Sequence, residues 1–162
     1  MEMPYVLDVA WCRTFQAVLK VGNYFMGYRM PNYLEGPGKI RELGAFLKEK
    51  GINDVLVVTG SGMVRRGQVA PMLEGFEEQG IRYTLQTYDT TDPTSDDVEA
   101  GYKTYKENGC KSIVALGGGS RIDCAKGIAA KAVHPKKTVA QLPGLLKVHW
   151  PLPPFVAIPT TA

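Results

Sequence analysis

The densest chemistry in the chain lies in residues 115–126, ALGGGSRIDCAK. An apolar, β-rich run, SIVAL at 112–116, enters three consecutive glycines, and RIDCAKGIAAKA behind them suits a helix. Without Cβ atoms, Gly117, Gly118 and Gly119 can take backbone angles closed to other residues and let a ligand rest against the main chain. Ser120 is placed to cap the helix, whose first N–H groups and positive dipole end attract an anion. A phosphate or pyrophosphate is the occupant this chemistry predicts. In parallel sheets such ligands bind at the carboxyl ends of strands, which is where the turn falls.

The pattern matches neither common nucleotide signature. GxxxxGK[ST] is absent, and Ile122 stands where a GxGxxG fingerprint needs its third glycine. Gly60-Ser61-Gly62, after VLVVT, fails the same test at Arg65. A tight turn with no ligand is therefore the plain alternative. Metal chemistry finds little support: Cys12, Cys110 and Cys124 show no CxxC spacing, and His134 and His149 lack HxxxH spacing or a set of carboxylates. None of them is expected to ligate a metal.

Periodicity supplies the elements that must position the turn. Four β-rich runs, at 55–59, 83–88, 112–116 and 155–158, alternate with segments of helical spacing. In 39–50 the residues Ile40, Leu43, Phe46 and Leu47 share a face before Gly51, and in 69–79 Val69, Met72, Leu73 and Phe76 do the same before Gly80. Thr94 and Asp97 form a capping box for a helix carrying Val98, Tyr102 and Tyr105 and ending at Gly109. Strands apolar on both faces, alternating with helices, predict an α/β fold: a Rossmann-like, mainly parallel sheet covered by helices in a single domain. Residues 143–154, with four of the eleven prolines, read as a surface loop. Asp8 is expected to cap a short helix through Leu19, giving an arm at 1–32 and a nucleotide-binding domain at 33–162.

Composition excludes several classes. With 162 residues, 44% hydrophobic and 22% charged, the chain can bury an ordinary core and is neither disordered nor fibrous. The net charge, 19 − 16 = +3, comes from scattered basic residues, so nucleic acid is not the expected partner. No apolar run reaches the ~18 residues that span a bilayer, and the N-terminus lacks a signal-peptide pattern. With three unpairable cysteines, a cytoplasmic protein with no membrane partner is expected.

GGGSRIDCAKGIA, together with AIPTTA at 157–162, resembles the iron-dependent, group III alcohol dehydrogenases. The family's GGGSxxDxAK is matched at Gly117, Gly118, Gly119, Ser120, Asp123, Ala125 and Lys126, and its PTTAGTGSE begins at Pro159, Thr160, Thr161 and Ala162. LEGPGKIRELG at 34–44 looks like the family's opening strand and helix. The resemblance implies that Gly118, Gly119 and Ser120 hold the pyrophosphate of NAD or NADP. It implies that Asp123 faces the nicotinamide ribose, that Thr160 and Thr161 add hydroxyls, and that Gly60 lies at the adenosine ribose. Lys126 reads equally as a solvated helix lysine. Where the family often has VTD, this chain has Thr59-Gly60, which removes a carboxylate that would repel a 2′-phosphate; Arg65 or Arg66 could then approach one, so NADP is the expected preference. The family's PNPT is here Asp92-Pro93-Thr94 after Thr91, a second departure.

The family's iron is held by one aspartate and three histidines of a helical domain that follows PTTAGTGSE, and no such ligand set occurs here. The expectation is the NAD(P)-binding domain of an alcohol and aldehyde oxidoreductase, inactive alone. Exposure of Trp150, Leu152 and Phe155 makes a homo-oligomer a further expectation. A non-catalytic nucleotide-binding or assembly module and a different phosphate-ester binder remain open alternatives.

Overall fold

The computed structural model describes residues 5–25, 30–89, 92–144, 147–148 and 150–160. The chain divides into two compact units, Met1–Leu34 and Glu35–Ala162. The first holds one helix, α1 (Tyr5–Phe25), which starts before the expected cap, so that Asp8 lies inside its first turn, and runs beyond the expected end at Leu19. The added residues, Lys20 to Phe25, hold no proline, and a helix already propagating tolerates Gly22 at a cost of about 1 kcal/mol and its weaker helix-forming neighbours at less each. Leu7, Trp11, Val18 and Val21 recur on one face of α1 and are exposed. Among the described residues no helix is long and apolar enough to cross a membrane.

The second unit is a four-stranded parallel sheet in the order β2-β1-β3-β4, with β1 (Asp54–Gly60), β2 (Arg82–Tyr88), β3 (Ser112–Gly117) and β4 (Phe155–Pro159). The expected α/β fold is present. Strand period two divides the core between the faces. Val55, Val57, Val114 and Leu116 pack with Leu43, Leu47, Met72 and Phe76 of α2 (Lys39–Glu49) and α4 (Ala70–Glu78). Leu56, Val58, Ile113 and Ala115 pack with Val98 of α5 (Ser95–Glu107) and with Cys124, Ala125 and Ile128 of α6 (Gly119–Val133). Each fully buried Val, Leu or Phe contributes about 1.5–3 kcal/mol, so the unbroken apolar runs at 55–58 and 113–116 commit these strands to the middle of the sheet.

The Thr94–Asp97 capping box forms as expected, with the Asp97 N–H donating to Thr94 Oγ1 at 3.2 Å and the Thr94 N–H to Asp97 Oδ2 at 2.8 Å. Gly51, Gly80 and Gly109 take φ of 72°, 65° and 62° just past helix ends, where left-handed backbone satisfies the last carbonyls. Two local expectations are corrected. The opening strand near residue 34 is absent, because Gly36 and Gly38, at φ 128° and 75°, turn the chain directly into α2. A short helix, α3 (Ser61–Arg65), also follows β1 where no element was expected; Gly60 is its extended N-cap, and five residues are too few to show a period.

Helices α2 and α4 cross glycine on glycine. A Cβ on Gly75 would overlap the Arg41 carbonyl oxygen, and one on Gly44 would overlap the Gly75 carbonyl oxygen. Both obstacles are backbone and cannot rotate away. Gly75→Ala is therefore expected to destabilise the domain by about 1–3 kcal/mol, measured as a lower urea midpoint at unchanged m; an unchanged midpoint would show that the helices can separate at no cost.

Candidate functional site

Strand order decides where a ligand can enter. From β1 the chain moves outward to β2 on one side, then returns past β1 to β3 and continues to β4, so the direction reverses between β1 and β3. At such a switch point the connecting segments leave in opposite directions and open a crevice at the strands' carboxyl ends. Register places Thr59 beside Leu116, which sets Gly60 next to Gly117 at that crevice. Gly117 pairs in turn with Pro159, and the Thr160 N–H donates to the Gly117 carbonyl at 3.1 Å. Gly60, Gly118, Gly119, Ser120 and Thr160 thus converge, while Thr161 lies outside the described residues.

The turn differs from expectation in its cap. Gly118, at φ −74° and ψ 179°, is the N-cap of α6, which begins at Gly119, so Ser120 stands inside the first turn rather than at the cap. No side chain caps this end. Gly117 makes the sharp change of direction at φ 150°, a conformation that favours glycine. A Cβ on Gly119 would meet nothing within 4 Å. The first amides of α6 have no side-chain cap at the positive end of a 15-residue helix, and Gly118 at that end lines a cavity. Asp123 is exposed and pairs with Lys126 at 3.1 Å, a surface pair of small worth.

A cavity of about 310 Å³ lies against the ends of the strands, lined by Gly60, Gly62, Met63, Arg65, Arg66, Asp89, Gly117, Gly118 and Arg121. Arg65 and Arg66, named from sequence, are present; Arg121, Tyr88 and Asp89 were not foreseen. The Tyr88 hydroxyl donates to the Ser120 carbonyl at 3.1 Å, and its ring lies 5.1 Å from Arg121 Cζ. Tyr88 ends β2, and only the crossover to β3 brings it beneath the α6 turn, so no local signal marked it.

His134 is buried at the end of α6, and His149 lies outside the described residues. Among the described residues no group of three or more His, Cys, Asp or Glu could hold a metal ion, so the family's iron does not fit there and no step is derived through it. Lys131 is a structural cation: its Nζ lies 2.9 Å from Glu99 and donates to the Lys137 carbonyl at 2.6 Å.

Burial pushes the Tyr88 phenol and the Cys110 and Cys124 thiols above their ordinary ranges, with Cys124 reinforcing the effect on Tyr88. Above the unfolded thiol pKa of about 8.5 the unfolded chain releases protons that the folded chain keeps, so stability is full below that pH and falls as pH rises. The melting midpoint is expected to drop between pH 8 and pH 10. Replacing both Cys110 and Cys124 with Ala should shrink the drop measurably.

Comparison with known proteins agrees with the geometry. A family model described as iron-containing alcohol dehydrogenase matches residues 31–162. Alcohol dehydrogenase 4 of Schizosaccharomyces pombe is 36% identical over 138 residues, 83% of this chain and 32% of its own length. The 1,3-propanediol dehydrogenase of Klebsiella pneumoniae is 34% identical over 145 residues, 85% of this chain and 37% of its own. Sulfoacetaldehyde reductase of Bifidobacterium kashiwanohense, solved with NAD+, superposes with a TM-score of 0.68 at 25% identity over 83% of this chain and 36% of its own. The chain spans about a third of the length of the curated relatives it matches.

Proposed function

The chain belongs to the iron-containing alcohol dehydrogenase family, and from that premise we propose that it is the nucleotide-binding half of such an enzyme, holding a nicotinamide dinucleotide across the ends of β1 and β3. One observation carries the reading: α6 starts without a side-chain cap at the switch point, in a run of three glycines of which Gly117 and Gly118 line a cavity. Backbone N–H groups of Gly118, Gly119 and Ser120 would take the pyrophosphate, with hydroxyls from Thr160 and Thr161 beside it. Asp123, one turn along α6, would serve the nicotinamide ribose. When bound, the dinucleotide supplies a hydride acceptor or donor, so the parent reaction is oxidation of a small alcohol or reduction of an aldehyde. The chain's own part is to fix the cofactor's orientation.

NADP is the preferred dinucleotide in this proposal, although a relative is solved with NAD+. Gly60 presents no carboxylate to the adenosine ribose, and Arg65 and Arg66 line the adjoining cavity. A cytoplasmic setting fits the three free cysteines.

Calorimetric titration of this chain with NADPH and NADH tests the proposal. Saturable binding is expected, tighter for NADPH. Gly118→Val should weaken both ligands at least tenfold without moving the melting midpoint, since Val accepts φ −74° and ψ 179°. Binding indifferent to Gly118→Val, or no binding of either dinucleotide, would sink the reading.

A further inference from the structure

We propose that Arg121 decides which dinucleotide the chain accepts, its guanidinium taking the 2′-phosphate of the adenosine ribose over the bare end of β1. The inference rests on the dinucleotide reading above and adds the residue that sets its selectivity.

Arg121 sits in the first turn of α6 and runs back across the strand ends. A Cβ on Gly117 would lie 2.9 Å from Arg121 Cγ and 3.0 Å from its Cβ; one on Gly60 would lie 3.3 Å from Nε and 3.4 Å from Nη2. The two glycines are thus the channel in which the side chain lies. Tyr88 closes it from β2, its ring 5.1 Å from Cζ, and the same Tyr88 holds the Ser120 carbonyl. Three strand ends therefore place one guanidinium, so little of its rotamer entropy is left for a ligand to remove.

Its surroundings favour a doubly charged anion. Among the described residues, Arg65, Arg66 and Arg121 line the cavity with one carboxylate, Asp89. Arg66 donates Nε and Nη2 to Gln68 at 3.2 and 3.1 Å, while Arg121 is the one whose nitrogens border Gly60. A planar fork suits phosphate oxygens, whereas a ribose hydroxyl needs an acceptor, not three cations. With the pyrophosphate at Gly118 and Gly119, the cavity on the β1 side is where the adenosine ribose of NADP carries its extra phosphate. Position 60 is coupled to this device. A carboxylate there would repel the phosphate and would also pair with Arg121, whose nitrogens already border the missing Cβ.

The test compares 2′,5′-ADP with 5′-AMP, and NADPH with NADH, by calorimetry on the intact chain. Arg121→Gln, which keeps the stem in the Gly117 channel, and Arg121→Ala should each weaken 2′,5′-ADP and NADPH about tenfold or more while leaving 5′-AMP and NADH within twofold. In a Gly60→Asp background, Arg121→Gln should change NADPH binding by less than twofold, because the new carboxylate has already claimed the cation. Equal losses for both dinucleotides would make Arg121 a structural clamp and overturn the inference. No loss for NADPH would overturn it in favour of Arg65 and Arg66, and a loss confined to NADH in Asp89→Asn would place an unphosphorylated ribose there instead. Failure of both dinucleotides to bind the unaltered chain would remove the underlying reading, an outcome distinct from dinucleotide binding that ignores Arg121.

Discussion

Parallel pairing of β1 with β3 is the constraint from which the site follows. Residues distant in sequence, Gly60 and Gly117, become neighbours only because Val55 to Thr59 align with Ser112 to Leu116. That register is enforced by burial on both faces, since a slip of one residue would send Val57 and Val114 into the wrong layer and leave their partners on α2 and α4 unfilled. Once the strands are aligned, their glycine ends leave a trough in which the Arg121 side chain lies. Gly118, the N-cap of α6, and the side chains of Arg65 and Arg66 line the cavity beside it.

Glycine performs three different tasks in this domain. At Gly44 and Gly75 it lets two helices touch backbone to backbone and has no bearing on a ligand. At Gly51, Gly80 and Gly109 it ends helices in the left-handed region. At Gly60 and Gly117 it makes space, and the Arg121 side chain fills it. Local sequence marks the helix-ending glycines and the glycine turn, whereas the contact of Gly44 with Gly75 depends on how two helices cross.

Tyr88 shows how framework and site share atoms. Its ring is buried against the α5–α6 face of the sheet, while its hydroxyl holds the Ser120 carbonyl and its ring face meets Arg121. The same burial that anchors β2 therefore fixes the first turn of α6. The buried Lys131, by contrast, ties α6 to Glu99 and to the loop that follows and touches none of the cavity residues.

Local chemistry in the sequence determined the fold class, the strands to within a residue or two, the capping box at Thr94 and the glycine turn. Each depends on spacing along the chain: period two, period 3.6, or a fixed three-residue offset. The resemblance carried by GGGSRIDCAK and AIPTTA named the family and the residues Gly118, Gly119, Ser120 and Asp123. Tertiary structure alone decided that Gly118, not Ser120, caps α6, that α3 forms, and that Arg121 lines the cavity with Tyr88 against it. The helix start depends on where the turn leaves β3, and the Arg121–Tyr88 contact joins residues 33 positions apart, 121 − 88, through a crossover that no local pattern encodes.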